Sequence, residues 1–132
     1  MLGNARVAAM LPVTDLARSR KFYEGTLGLK LWSEEPDGLL FECGGGSLLG
    51  VYERPAVKVE HTQAGFEVSD LESEMRELRS KGITFENYNM PSLRTENGIA
   101  SIGGTRGAWF KDPDGNILGV VQRTRTGMST NR

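Results

Sequence analysis

The chain has 132 residues, 38% of them hydrophobic and 25% charged, which fits one ordinary globular domain. Its 16 basic and 17 acidic residues leave a formal net charge of −1, which argues against nucleic-acid or anionic-membrane partners, since both need concentrated positive charge. The single cysteine, Cys43, rules out an intramolecular disulfide and any Cys-x-x-Cys site; no apolar run reaches spanning length and no signal peptide is evident, so a cytoplasmic protein is expected.

A first strand is predicted over about 5–13 and a helix over about 15–27. Asp15 stands where a carboxylate would accept the N–H groups of the first turn. Leu16, Phe22, Tyr23 and Leu27 follow at roughly helical spacing, and Gly28 is the stop. Three strands come next, over about 29–34, 37–43 and 47–54. Gly44-Gly-Gly46 reads as a hairpin turn, because a phosphate-cradling loop would need a following helix. A strand over about 61–68 and a helix over about 70–81, with Asp70 as its cap, open the second half. Strands over about 83–88, 106–111 and 116–123 complete it, the last two joined by the turn-forming Asp112-Pro-Asp-Gly115. Between Glu86 and Thr105 no clean period is present, and a loop that long suggests a lid or binding loop. Residues 124–132 read as a flexible, solvated tail.

The order strand–helix–three strands thus occurs twice. Val13-Thr-Asp15-Leu16 returns as Val68-Ser-Asp70-Leu71, 55 positions on. The hairpin from Gly38 through Phe41 to Gly46, Gly50 and Val51 returns from Gly107 through Phe110 to Gly115, Gly119 and Val120, 69 positions on. The expected fold class is α+β, with two βαβββ repeats over about 5–55 and 61–123 in one domain spanning 1–123.

Three stretches carry a resemblance to a known family. Leu11 to Gly28 contains V-x-D-L followed by S-x-x-F-Y-x-x-x-L-G; Gly65 to Leu71 and Phe110 to Leu118 supply the landmarks of the second half. Together they resemble the glyoxalase/bleomycin-resistance/extradiol-dioxygenase group of the vicinal oxygen chelate superfamily, over about residues 6–123. The resemblance implies two half-sheets curled into a cupped mixed sheet with helices outside. It also implies four metal-ligand positions on the inner face, which in metal-dependent members hold His, Glu or Gln. Matched through the two motifs, those positions hold Ala8, Gly50, Gln63 and Gly119. Only Gln63 offers a donor atom, and one neutral amide cannot hold a divalent ion against water, so neither metal nor cofactor is expected. His61, the one histidine, shares a strand face with Gln63, but Glu53 and Glu67 are poorly placed to complete a set.

The expected function is metal-free binding of a small organic ligand, aromatic or antibiotic-like, sequestered in the cup rather than turned over. Alternation places Tyr52 on the face of Gly50, and Gln63 is the expected polar anchor. Trp32, Trp109, Met10, Met90, Arg94 and His61 are the further candidate contacts, while Phe22, Phe41, Phe66 and Phe110 read as core. No catalytic residue can be assigned: there is no Gly-x-Ser-x-Gly elbow and one His without an identifiable nucleophile. Two other readings remain open, a divalent-metal lyase or dioxygenase with ligands elsewhere, and a metal-free enzyme using pocket acids or Arg94. Because members of the bleomycin-resistance type commonly pair, a homodimer is expected.

Overall fold

The doubled strand–helix–three-strand order is present in the computed structural model, which describes residues 1–56 and 58–123. These residues group into two compact units, Met1–Gln63 with Asp112–Ile117, and Ala64–Lys111 with the chain from Leu118 on. The expected tail, 124–132, lies outside the described residues.

In the first unit, β1 (Ala8–Val13), β2 (Lys30–Glu35), β3 (Gly38–Glu42) and β4 (Leu48–Glu53) form a sheet ordered β1-β4-β3-β2, with β1 and β4 parallel. Alternation sends Leu11, Val13, Leu39, Phe41, Leu49 and Val51 to one face, where all are buried. The helix covers that face. Its start is fixed by Asp15, whose carboxylate accepts the Arg18 N–H at 3.0 Å, as the sequence predicts. The helix is not uniform, however. Five α-helical residues, α1 (Leu16–Arg20), widen into a π turn over Lys21–Thr26, marked by the Leu27 N–H donating to Phe22 O at 2.9 Å. This turn lays Tyr23 on the sheet, fully buried, with its ring stacked on Phe41 at 5.8 Å between centroids.

In the second unit the order is β5-β10-β9-β8, from β5 (Thr62–Glu67), β8 (Ala100–Ile102), β9 (Thr105–Lys111) and β10 (Ile117–Arg123). Asp70 caps α2 (Leu71–Ser80) through the Ser73 N–H at 3.2 Å. Leu71 and Met75 are buried by the helix, as are Phe85, Ala108, Phe110, Leu118 and Val120.

The stretch from Glu86 to Thr105 departs from expectation in two ways. The strand predicted over 83–88 is reduced to one bridge, Phe85 to Phe110, with the Glu86 N–H donating to Trp109 O at 2.7 Å. The chain then makes two tight hairpins in place of a featureless loop. The first pairs β6 (Asn89–Met90) with β7 (Leu93–Arg94). In the second, Glu96 and Ile99 exchange backbone hydrogen bonds around Asn97 and Gly98, whose φ values are 55° and 82°. Two successive left-handed residues are what a primed two-residue turn demands, and Asn-Gly is its usual sequence. That dipeptide was the available signal. Beyond the turn β8 takes the sheet edge beside β9, and so fills the place predicted for the earlier strand. Among the described residues no helix is long and apolar enough to cross a membrane.

Candidate functional site

In the first unit the sheet face turned from the helix is set by register. Met10 and Leu40 both stand opposite Gly50, and Pro12 and Gly38 both stand opposite Tyr52. Met10, Tyr52 and Gly50 therefore share one face, as alternation predicts. The room freed at Gly50 is not empty. A Cβ there would lie 2.6 Å from Met10 Sδ and 2.8 Å from Leu40 Cδ2, so these two flexible side chains already close over the glycine. Trp32, 52% exposed, is the extra residue of a bulge where β2 passes Leu40. Each aromatic ring on this unit's candidate set carries an arginine that sequence reasoning missed. The Arg54 guanidinium stands 4.9 Å from the Tyr52 centroid, and that of Arg6 stands 5.5 Å from Trp32. Arg54 lies two residues beyond Tyr52 in an extended segment, so the strand period could have found it; Arg6 depends on how the N-terminal segment folds back.

In the second unit Trp109 bends back over Gly107, its indole carbons 3.4–3.5 Å from where a Cβ would sit. Tyr88 meets Trp109 edge-on at 5.8 Å, and its backbone is held by Thr95, which accepts the Tyr88 N–H at 2.8 Å. Burial, with the nearby Glu86 charge second, raises the Tyr88 hydroxyl above the usual phenol range. The same hairpin presents Met90, 45% exposed, and Arg94 to solvent. Trp109, Tyr88, Met90 and Arg94 are thus carried on one strand and one hairpin, whereas Met10, Tyr52 and Trp32 belong to the first unit. Gln63 and His61 are exposed at the start of β5, with the Gln63 amide donating to His61 O at 3.4 Å.

Beneath the first sheet a buried polar cluster holds the turn Asp112–Ile117. The Tyr23 hydroxyl donates to Asp112 Oδ2 at 2.7 Å, and the Asn116 amide donates to the same oxygen at 2.9 Å and to Pro12 O at 2.8 Å. Asp112 Oδ1 accepts two backbone N–H groups, from Asp114 and Asn116. Burial, reinforced by the Asp112 carboxylate, pushes the Tyr23 phenol far above its ordinary value. Its place in the hydrogen-bonded core makes it a positioning group. Cys43 is likewise pushed up, by burial and then by Glu42, which leaves it a poor nucleophile at neutral pH.

The family's metal chemistry can be tested against these residues. Ala8 and Gly50 carry no donor atom, nor does Gly119, which is buried in β10. Gln63 alone contributes an oxygen. Among the described residues no group of three or more His, Cys, Asp or Glu side chains is gathered as a metal site requires. The residues do not fit the metal centre.

A further groove lies outside the expected set. It occupies about 470 Å³ in the second unit, between α2 and the segment Glu96–Ser101, with Met75 and Ile99 among its lining residues.

Two mixed four-stranded sheets, each following the same strand–helix–three-strand order, define a paired-repeat α+β protein of the glyoxalase/bleomycin-resistance fold. A family model described as the Glyoxalase/Bleomycin resistance protein/Dioxygenase superfamily matches residues 6–120, and the chain belongs to that superfamily. Solved structures agree on the fold. TnmS3, an antibiotic binding protein from Streptomyces sp. CB03234, is 21% identical with a TM-score of 0.66, covering 92% of this chain and 97% of its own. Lactoylglutathione lyase from Agrobacterium tumefaciens is 19% identical with a TM-score of 0.64, covering 90% and 93%. The oxidase ChaP-H2 is 26% identical with a TM-score of 0.66, covering 91% and 94%. No curated protein matches the sequence.

Proposed function

We propose that this protein binds a small organic ligand without a metal and acts by holding it, in the manner suggested by its likeness to an antibiotic binding protein. One observation carries the reading: of the four positions where metal-dependent members place ligands, Ala8, Gly50 and Gly119 have no donor atom. The surrounding surface favours an aromatic ligand. On the first unit Tyr52 shares its sheet face with Met10, and on the second Trp109 and Tyr88 meet edge-on near the hairpin that carries Met90, so each unit offers aromatic and soft apolar groups. Arg54, Arg94 and Gln63 supply polar and cationic anchors. The protein is proposed to be cytoplasmic and to work as a homodimer.

The test is a pair of measurements on the purified protein. Elemental spectrometry is expected to find no stoichiometric Ni, Zn, Fe or Mn, and thermal unfolding is expected to shift upward with some members of a panel of aromatic antibiotics. One bound metal per chain, lost with activity on chelation, would instead establish the lyase or dioxygenase alternative suggested by the other neighbours. Turnover of a panel member without metal would establish a metal-free enzyme. Sedimentation equilibrium at several concentrations decides the homodimer, and a monomer throughout would remove it.

A further inference from the structure

The groove beside α2 differs in chemistry from the ring-lined sheet faces. Residues 72, 75, 76 and 79 recur along one helical face, and all four line it. Ile99 is partly exposed and gives the groove apolar surface within reach of charge, while Met75 beneath it is fully buried. The far wall is the tight hairpin at Asn97-Gly98. A Cβ at Gly98 would come within 3.4 Å of both Met75 Cε and Arg79 Nη2, which shows how closely this wall is set against the helix.

Three guanidinium groups line this volume, and two of them are fixed. Arg106 makes a two-pronged ion pair with both oxygens of Glu72. Arg79 donates to Asn97 O at 3.2 Å and lies 5.2 Å from the Phe85 ring centroid. Arg76 lies on the helix between Glu72 and Arg79; its charge acts on Glu72, but it makes no close ion pair or hydrogen bond among the described residues. Glu96 also lines the groove, its carboxylate unpaired among the described residues. Among the lining residues three arginines face two glutamates, with Asp70 also acting on Arg106, so little positive charge is left over and Glu96 opposes any further negative charge.

We infer that this groove binds a small organic monoanion, a carboxylate on a short apolar body. The carboxylate meets the fork of Arg76 while the body covers Ile99, a division of labour that suits planar guanidinium recognition. The volume, about 470 Å³, is within the range of ordinary small-molecule sites. The site is independent of the ring-lined sheet faces proposed above, since it lies on the helix side of the second sheet.

Sodium benzoate is the probe, titrated into the ¹⁵N-labelled full chain, with sodium chloride at equal ionic strength as the control. Saturable amide shifts centred on Arg76, Ile99 and Ser101 are expected with benzoate and absent with chloride. Arg76→Ala is expected to weaken binding by about tenfold, with Arg76→Lys intermediate because it keeps charge but loses the fork. Glu96→Gln is expected to tighten it, and inorganic phosphate to bind more weakly than benzoate. The same spectra report whether each variant is folded. Absence of saturable shifts, equal shifts with chloride, or undiminished binding in folded Arg76→Ala would overturn the site. Unchanged or weaker binding in Glu96→Gln, or tighter binding of phosphate, would overturn the monoanion assignment.

Discussion

Tyr23 donates its hydroxyl proton to a buried carboxylate, and that single contact joins the π turn to the Asp112 turn. Removing the hydroxyl leaves Asp112 short of a partner where water does not compensate. Tyr23→Phe is therefore expected to lose about 1–3 kcal/mol of unfolding free energy, measured by denaturant titration. Asp114 gives the complementary pH effect. Burial alone would raise its carboxyl, but the Thr14 hydroxyl at 2.7 Å, the Thr14 N–H and Arg18 at 2.9 Å outweigh it and hold the group below the usual carboxylate range. A depressed folded value stabilises the protein at pH above the ordinary carboxylate value of about 4, and that stability is lost as pH falls through the folded value. Asp114→Asn should therefore lower the denaturation midpoint at neutral pH, with the two curves converging in acid. Equal midpoints at neutral pH would show that the contacts contribute nothing. At this scale the sequence marked Tyr23 as apolar and Asp112-Pro-Asp-Gly115 as a turn. It could not reveal that they meet, because they lie 89 residues apart.

Among the elements, the caps were legible and the long insertion was not. Asp15 and Asp70 each precede an apolar helical pattern, and each side chain accepts an N–H three residues on. Replacing either with Ala should cost about 1 kcal/mol, read as a lowered thermal midpoint. The Asn97-Gly98 hairpin offers a sharper case. Gly98 has φ of 82°, and its missing Cβ would lie 3.3 Å from Phe85 Cβ, so Gly98→Ala adds both backbone strain and crowding. A loss of about 1–3 kcal/mol is expected, and a neutral substitution would mean that the hairpin is not packed against α2. This region was misread because its strands are only two or three residues long. Such segments are too short to show a period, and only their turn residues betray them.

The whole molecule does not divide where its repeats do. The turn Asp112–Ile117 belongs by sequence to the second repeat but groups with the first unit, through Tyr23, Pro12, Thr14 and Arg18. A fragment ending at Gln63 would leave Tyr23 without its acceptor and the first sheet without this support. It is expected to show neither dispersed amide resonances nor a cooperative thermal transition, whereas a folded fragment would make the turn dispensable. By itself the sequence determined the doubled order of elements. Local periodicity, caps and turn chemistry act over short separations and repeat with the register. Only the tertiary structure decided which side chains occupy the room over Gly50, which arginines stand over Tyr52 and Trp32, and that a charged groove opens beside α2. Those outcomes depend on contacts between elements, where pairing and packing replace sequence distance with spatial distance.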